Sequence, residues 1–298
     1  VSLTPKQLAK RIEGVGGSEA LAYCGKDPRC TPLQLYLRKI GESGERPEDD
    51  ARQAWGHRLE PVVRRWLAEE LGRKIIAPKR TYVSKKHPFM FGHLDGVSNR
   101  EGVEIKTGDK FTSHEFGEVG SDQVPVRYVL QIQHYLVVTG YKRFHLGVLL
   151  GGNDARHYVV DHDPDLADML IDRANAFWQH VQTRTPPDPV TLHDADLRWP
   201  RSAETAIVAS DTIAGAVEEI RKMRAIEKEA AEEADAAELT LKAFLGDADT
   251  LTDSQGQRLA SWKSQTRESF DTKAFTATHP ELAAQFRKTA NFRVFRIK

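Results

Sequence analysis

Gly92-His93-Leu94-Asp95-Gly96, followed after a short turn by Glu104-Ile105-Lys106, is the stretch on which the reading of this chain turns. The pattern predicts two short strands joined by a hairpin. Side chains alternate faces along a strand, so Glu104 and Lys106 project together while Ile105 points the other way into a core. Asp95 closes the preceding strand and reaches the same spot. Two carboxylates and an ammonium at a sheet end are costly to bury unless a metal or a substrate compensates. Carboxylate oxygens suit Mg²⁺ or Mn²⁺, and a lysine can position an attacking water or a phosphate. The apolar flanks Phe89, Phe91, Leu94, Val103 and Ile105 place these charges at a buried edge rather than on an open surface hairpin. The pattern points to metal-dependent phosphodiester hydrolysis.

Three other groups extend it. Glu60, in Trp55-Gly56-His57-Arg58-Leu59-Glu60-Pro61, is expected on the helix before the sheet, where it either supplies a further carboxylate or is an ordinary helical glutamate. Gln131 and Tyr135 lie four apart on one helix face and therefore both look toward the sheet. Core packing accounts for Tyr135, whereas a buried amide such as Gln131 needs a partner, and the site or its water would serve. Arg11 ends one helix and Ser18 begins another after Gly14-Val15-Gly16-Gly17. A hydroxyl at a helix start beside a guanidinium suits a phosphate, although a capping serine and a surface arginine fit the same residues. His57, His93 and His114 lack the spacing of a zinc pair.

With 40% hydrophobic and 29% charged residues the composition is that of a globular protein, and 298 residues suffice for one large domain plus an appendage or for two modest domains. No apolar run reaches the roughly 20 residues of a membrane helix. The two cysteines, Cys24 and Cys30, argue against a disulfide framework or an iron–sulphur site, and no secretion-signal layout opens the sequence. A bacterial host cytoplasm is the expected setting. The zero net charge hides basic ends and an acidic middle, so phosphate contacts at the ends remain open.

Helices are expected over 4–13, from near Ser18, over 32–40, 55–71, 125–139 and 164–182. Strands are expected near 74–77, 80–84, 89–95, 102–106, 143–150 and 156–161. Thr185-Pro186-Pro187-Asp188-Pro189 reads as a linker, dividing a domain over 1–184 from an extension over 190–298. In the extension, 211–245 reads as a long helix or helical hairpin with a weak heptad. A strand near 258–262, a helix over 272–286 and a final strand over 292–297 follow.

Arg11 with Gly16-Gly17-Ser18, Gly56-x-x-x-Glu60, Leu94-Asp95-Gly96, Glu104-Ile105-Lys106 and Gln131-x-x-x-Tyr135, in that order, resemble the phage lambda exonuclease / YqaJ-type viral recombinase family of PD-(D/E)xK nucleases. Leu94 departs from the proline often found there. The resemblance covers residues 1 to about 180. It implies an α/β restriction-endonuclease-like core, a central mixed sheet flanked by helices, to which this chain adds a helical and small α+β C-terminal extension of prophage type. It further implies that Asp95, Glu104 and the Ile105 carbonyl hold Mg²⁺ (or Mn²⁺, two ions per site) with help from Glu60. Lys106 and Gln131 would orient the water, and Arg11 and Ser18 would hold a 5′-terminal phosphate. The implied activity is 5′→3′ exonuclease action on linear double-stranded DNA, leaving 3′ overhangs for a single-strand annealing recombinase (RecT/Bet-like). A ring-shaped homotrimer is the implied assembly. The rivals are an endonuclease on the same fold and a non-catalytic DNA-binding or scaffold protein. Residues 190–298, basic and aromatic at Trp262, Arg287, Lys288, Arg293 and Arg296, would contact the annealing partner or the single strand, or form a structural cap or oligomer contact.

Overall fold

Asn99 and Arg100 both take positive φ, 50° and 65°. Two left-handed residues in succession make the tight turn whose twist matches that of the strands it joins. This turn sets Gly96 opposite Val103 and Ser98 opposite Glu101, fixing the register of the strand that carries Glu104 and Lys106. The computed structural model describes residues 11–42, 51–289 and 292–297. The helix start expected at Thr4-Pro5 and most of the loop over 41–50 lie outside the described residues.

In chain order, the first part contains β1 (Val15–Gly16), α1 (Ala20–Tyr23), α2 (Pro32–Lys39) and α3 (Ala51–Glu70). Strands β2 (Tyr82–Val83), β3 (Met90–Gly92), β4 (Gly96–Ser98) and β5 (Glu101–Gly108) follow. Then come α4 (Val126–Thr139), β6 (Arg143–Leu150), β7 (Asp154–Asp161), α5 (Pro164–Thr183) and α6 (Leu192–Arg198). The strands form two sheets, β1-β3-β2 and β4-β5-β6-β7, with β5 and β6 parallel and the flanking pairs antiparallel. A parallel pair needs a crossover, and α4 lies within it. Gly140 ends that helix at φ 69°, a conformation glycine adopts without steric cost.

Apolar alternation explains the layers. Val103 and Ile105 pack with Val63 and Leu67 of α3, while Leu146, Val148 and Leu150 meet Ile132 and Leu136 of α4. A third cluster joins Val15, Tyr23, Leu33, Tyr36 and Met90 to Leu130, Leu170 and Phe177. The strand expected over 89–95 is in fact divided: β3 ends at Gly92 in one sheet and β4 begins at Gly96 in the other. Asp95 therefore sits in the step between sheets, where its side chain is not committed to a ladder. The strand expected over 74–77 reduces to one bridge, Ile76 to Val97.

The chain divides into two compact units, Val1–Arg198 and Trp199–Lys298. The first runs past the Pro-rich segment because Asp194, fully buried in α6, accepts from the Thr31 hydroxyl at 2.7 Å and from the Val190 amide at 3.1 Å. The second holds α7 (Asp211–Leu245), a β8 (Thr250–Thr252)–β9 (Arg258–Ser261) hairpin, α8 (Thr272–Thr278) and α9 (Pro280–Gln285). Pro280 splits the helix expected over 272–286, since proline suits a first turn but not a helix interior. Residues 292–297 form no strand. Among the described residues of this unit only Leu245 is buried, and no described helix is long and apolar enough to cross a membrane.

Candidate active site

Three buried polar side chains on α4 break its apolar face, and their partners separate structure from site. Gln133 donates to the Asp161 carbonyl at 2.7 Å and accepts from the Asp163 amide at 3.1 Å, tying α4 to the end of β7. His134 has its Nδ1 2.9 Å from the Tyr23 hydroxyl and its Nε2 2.9 Å from the Phe91 carbonyl. A carbonyl only accepts, so Nε2 carries the proton and Nδ1 accepts from the tyrosine. Gln131 turns to the strand carrying Glu104: its Nε2 donates to Glu104 Oε1 at 2.7 Å and to the Tyr135 hydroxyl at 3.1 Å. A side chain at Gly17 or Gly92 would collide with the Tyr135 ring, so both glycines let the tyrosine stand against the 3₁₀ turn Gly17–Glu19 and the end of β3.

Glu104 Oε1 also pairs with Lys106 Nζ at 2.6 Å, as same-face positions on β5 predict. The glutamate side chain is 3% exposed and that of the lysine 24%, so the pair is deep at the carboxylate and open at the ammonium. The ammonium lies 5.5 Å from the Tyr128 ring centre, an attractive cation–π placement. Asp95 Oδ2 accepts the Ile105 amide at 2.8 Å, holding the acid beside its two partners. Glu60 is 6% exposed and accepts from Arg64 Nη1 at 3.1 Å; the same guanidinium nitrogen donates to the Asp95 carbonyl at 2.6 Å. Arg64 thus clamps α3 to the step between the sheets.

The charges do not balance. Burial, then repulsion from Glu104, drives the Asp95 pKa well above the usual carboxylate range, despite the lowering effect of Lys106. Burial also raises Glu104, against the pull of Lys106. Burial alone would lower Lys106, but Glu104 and Asp95 outweigh it and raise its pKa, so the lysine is an ammonium. Glu104 Oε2 is buried with no hydrogen-bond partner among the described residues. A carboxylate pair held against its own repulsion, with one orphaned oxygen, has the donor chemistry of a hard divalent cation. Among the described residues no group of three or more His, Cys, Asp or Glu side chains is arranged to hold a metal. The candidates are Asp95 and Glu104 with the Ile105 carbonyl, and Glu60, which bonds Arg64, lies close enough to raise the pKa of both acids.

Arg11 is half-buried, and its charge adds to burial in lowering the His93 pKa and acts on Tyr135. Its carbonyl accepts from Lys39, whose ammonium pairs with Glu19 at 2.7 Å. Ser18 is exposed beside Gly17 on the 3₁₀ turn. His57 and His114 are exposed, and His93 bonds Thr81 at 2.9 Å, which leaves the histidines in structural or surface roles. Sequence reasoning missed Arg64, Tyr128 and His134. Helical spacing carried the signal for the first two, since Arg64 is four residues after Glu60 and Tyr128 precedes Gln131 by three.

Residues 7–142, the span of this site, match the family model described as the YqaJ-like viral recombinase domain. The match spans less than half of the chain and marks this segment as similar to that domain. The uncharacterized protein YqaJ of Bacillus subtilis strain 168 is 27% identical over 301 residues, covering 98% of this chain and 93% of that protein. The similarity therefore runs beyond the YqaJ-like domain and takes in the C-terminal unit, which lay outside the sequence motifs. Crystal structures of LHK-Exo, an alkaline exonuclease from Laribacter hongkongensis, superpose with a TM-score of 0.51 at 16% identity, covering 61% of this chain and 94% of that one. One of them contains dAMP. At that identity the likeness establishes the fold of the YqaJ-like domain.

Proposed function

We propose that this chain is a metal-dependent exodeoxyribonuclease with a PD-(D/E)xK centre at Asp95, Glu104 and Lys106. The observation that carries the reading is the Glu104 carboxylate: one oxygen is shared by Lys106 and Gln131, and the other is buried without a partner beside a second carboxylate. The fold shared with an alkaline exonuclease and the match of residues 7–142 to the viral recombinase domain support it. A divalent cation, Mg²⁺ or Mn²⁺, held by Asp95, Glu104 and the Ile105 carbonyl would supply Lewis-acid polarisation of the phosphate and a more acidic water. Glu60, with one oxygen bonded to Arg64, would assist at the same ion.

The chain's own groups divide the remaining work. Lys106, kept cationic and partly exposed, offers its ammonium to the scissile phosphate. Gln131 fixes Glu104 with its amide and presents the amide oxygen to a water, while Tyr135 holds Gln131 in place. Arg11 and Ser18 capture a 5′-terminal phosphate, which gives the enzyme its direction: 5′→3′ resection of linear duplex, leaving a 3′ overhang for an annealing recombinase. A homotrimer encircling the duplex would supply processivity. The test is digestion in Mg²⁺ of 5′-phosphorylated linear duplex and of the same sequence as a covalently closed circle. The linear form should vanish and the circle survive. Cleavage of the circle would instead establish an endonuclease, and inertness toward both would favour a non-catalytic DNA-binding role.

A further inference from the structure

Along the outer edge of β4 the structure has a cleft of about 400 Å³, lined by Lys74, Ile76, Arg80, Tyr82, Ser98 and Tyr141 among others. None of these residues belongs to the candidate active site. We propose that this cleft binds a nucleotide of a DNA strand engaged at that site, a base against Tyr82 and Tyr141 and a phosphate against Lys74 and Arg80. The inference rests on the nuclease reading for the identity of the strand, but not for the chemistry of the pocket.

Four observations carry it. The volume lies in the range of pockets for small ligands, roughly 300–1,000 Å³. Lys74 and Arg80 are exposed, neither forms an ion pair among the described residues, and Arg80 is hydrogen-bonded to the Tyr82 and Tyr141 hydroxyls, which holds its uncompensated charge at the cleft. The Arg80 guanidinium sits 4.3 Å from the Tyr82 ring centre, and Tyr82 stands edge-on to Tyr141 with centroids 6.5 Å apart. Cation and aromatic together are the pairing that holds single-stranded nucleic acid, through stacking and phosphate contact. Lastly, Ser98 lines the cleft at 3% exposure with a hydroxyl that has no partner among the described residues. A buried hydroxyl without a partner costs about 1–3 kcal/mol, and a ligand oxygen or nitrogen at this wall would satisfy it.

Position favours a strand over a free nucleotide. Ser98 lies three residues beyond Asp95, about 10 Å at the rise of a strand. A DNA strand advances about 3.4 Å per nucleotide. A strand with one phosphate at Asp95 therefore carries others at the distance of the cleft.

The test measures binding with the catalytic reaction switched off. A fluorescent single-stranded oligonucleotide is titrated into the full chain in chelator, with anisotropy as the readout and dAMP as a second ligand. Lys74→Ala/Arg80→Ala should weaken strand binding about tenfold, whereas the exposed pair Lys85→Ala/Lys86→Ala, with the same loss of charge, should change it less than about threefold. Ser98→Ala should weaken it a few-fold without lowering the melting temperature. Arg80-dependent binding of dAMP with no such dependence for the strand would support the site and assign it to the released mononucleotide. Equal losses in both double variants, or no loss in either, would overturn the proposal. Binding is read without hydrolysis, so Arg80-dependent binding together with inertness in the duplex digestion above would refute the nuclease reading and leave the cleft assignment standing.

Discussion

Replacing Asp95 by Asn should make the protein more stable while disarming it. Asp95 faces two carboxylates, Glu104 and Glu60, and one ammonium, Lys106. Two unit charges about 5 Å apart in an effective dielectric near 20 interact by about 3 kcal/mol, which sets the scale for each pair. Lys106 offsets one repulsion and leaves the other, to which burial adds. Partial protonation of so strongly raised an acid limits what is felt, so the net penalty is about 1–3 kcal/mol. Asparagine keeps an oxygen for the Ile105 amide and removes the charge, leaving Lys106 paired with Glu104 at 2.6 Å. Urea denaturation at neutral pH in chelator should show a gain of about 1–3 kcal/mol, with a melting temperature higher by about 2–8 °C. Added Mg²⁺ or Mn²⁺ should then raise the wild-type melting temperature saturably and that of Asp95→Asn much less. A loss of more than about 1 kcal/mol would refute the reasoning, for it would make Asp95 a plain backbone cap with no electrostatic cost.

Four further outcomes follow from the same geometry. Lys106→Met leaves Glu104 and Asp95 without their counter-charge and should destabilise by about 2–4 kcal/mol in chelator, as read by denaturant titration. Gln131→Leu should lower kcat at least about tenfold with KM for duplex nearly unchanged, because the amide positions Glu104 and a water rather than the substrate; a KM effect alone would contradict this. Arg11→Ala should bring the rate ratio between 5′-phosphorylated and 5′-hydroxyl ends close to one, with turnover of the hydroxyl end retained. His134 is fully buried between Tyr23 and Phe91, and burial pushes its pKa down to about 4. The unfolded chain, at about 6.5, takes up the proton first, so this histidine's contribution erodes as pH falls from 6.5 to 4, by about 3 kcal/mol. Asp95 and Glu104, with raised values, act in the opposite direction. The wild-type minus His134→Gln difference in stability against pH isolates the histidine, and a flat difference would contradict the assignment.

The elements nearest the site were legible because two independent periodicities converge there. The period-2 pattern of Glu104-Ile105-Lys106 placed acid and lysine on one face, and the period-3.6 pattern of α4 placed Gln131 and Tyr135 on another. The 2.7 Å bond between Gln131 and Glu104 joins the two. What could not be read was tertiary. Nothing local indicates that residues 89–95 divide between two sheets, because the break follows from β3 pairing with β1 while β4 pairs with β5. Glu60 acts on both Asp95 and Glu104 as the sequence led one to expect, but the guanidinium of Arg64 that ties it to the Asp95 carbonyl could not be read from the spacing alone. His134 was invisible for the same reason: its partners lie 111 and 43 residues away in the chain. In the C-terminal unit the apolar spacing is real, yet the strand expected over 292–297 finds no neighbour to pair with among the described residues. Strand propensity without a ladder does not make a strand.

The most direct test of the central claim measures hydrolysis and folding on the same two proteins. Wild type and Asp95→Asn are incubated with 5′-phosphorylated linear duplex in Mg²⁺, and acid-soluble nucleotide release is followed beside thermal melting in chelator. Wild type should release mononucleotides only when the divalent ion is present. Asp95→Asn should be slower by at least about a thousandfold while melting at a higher temperature, so that inactivity cannot be ascribed to unfolding. Undiminished release by Asp95→Asn, or release by wild type in chelator, would contradict the central claim.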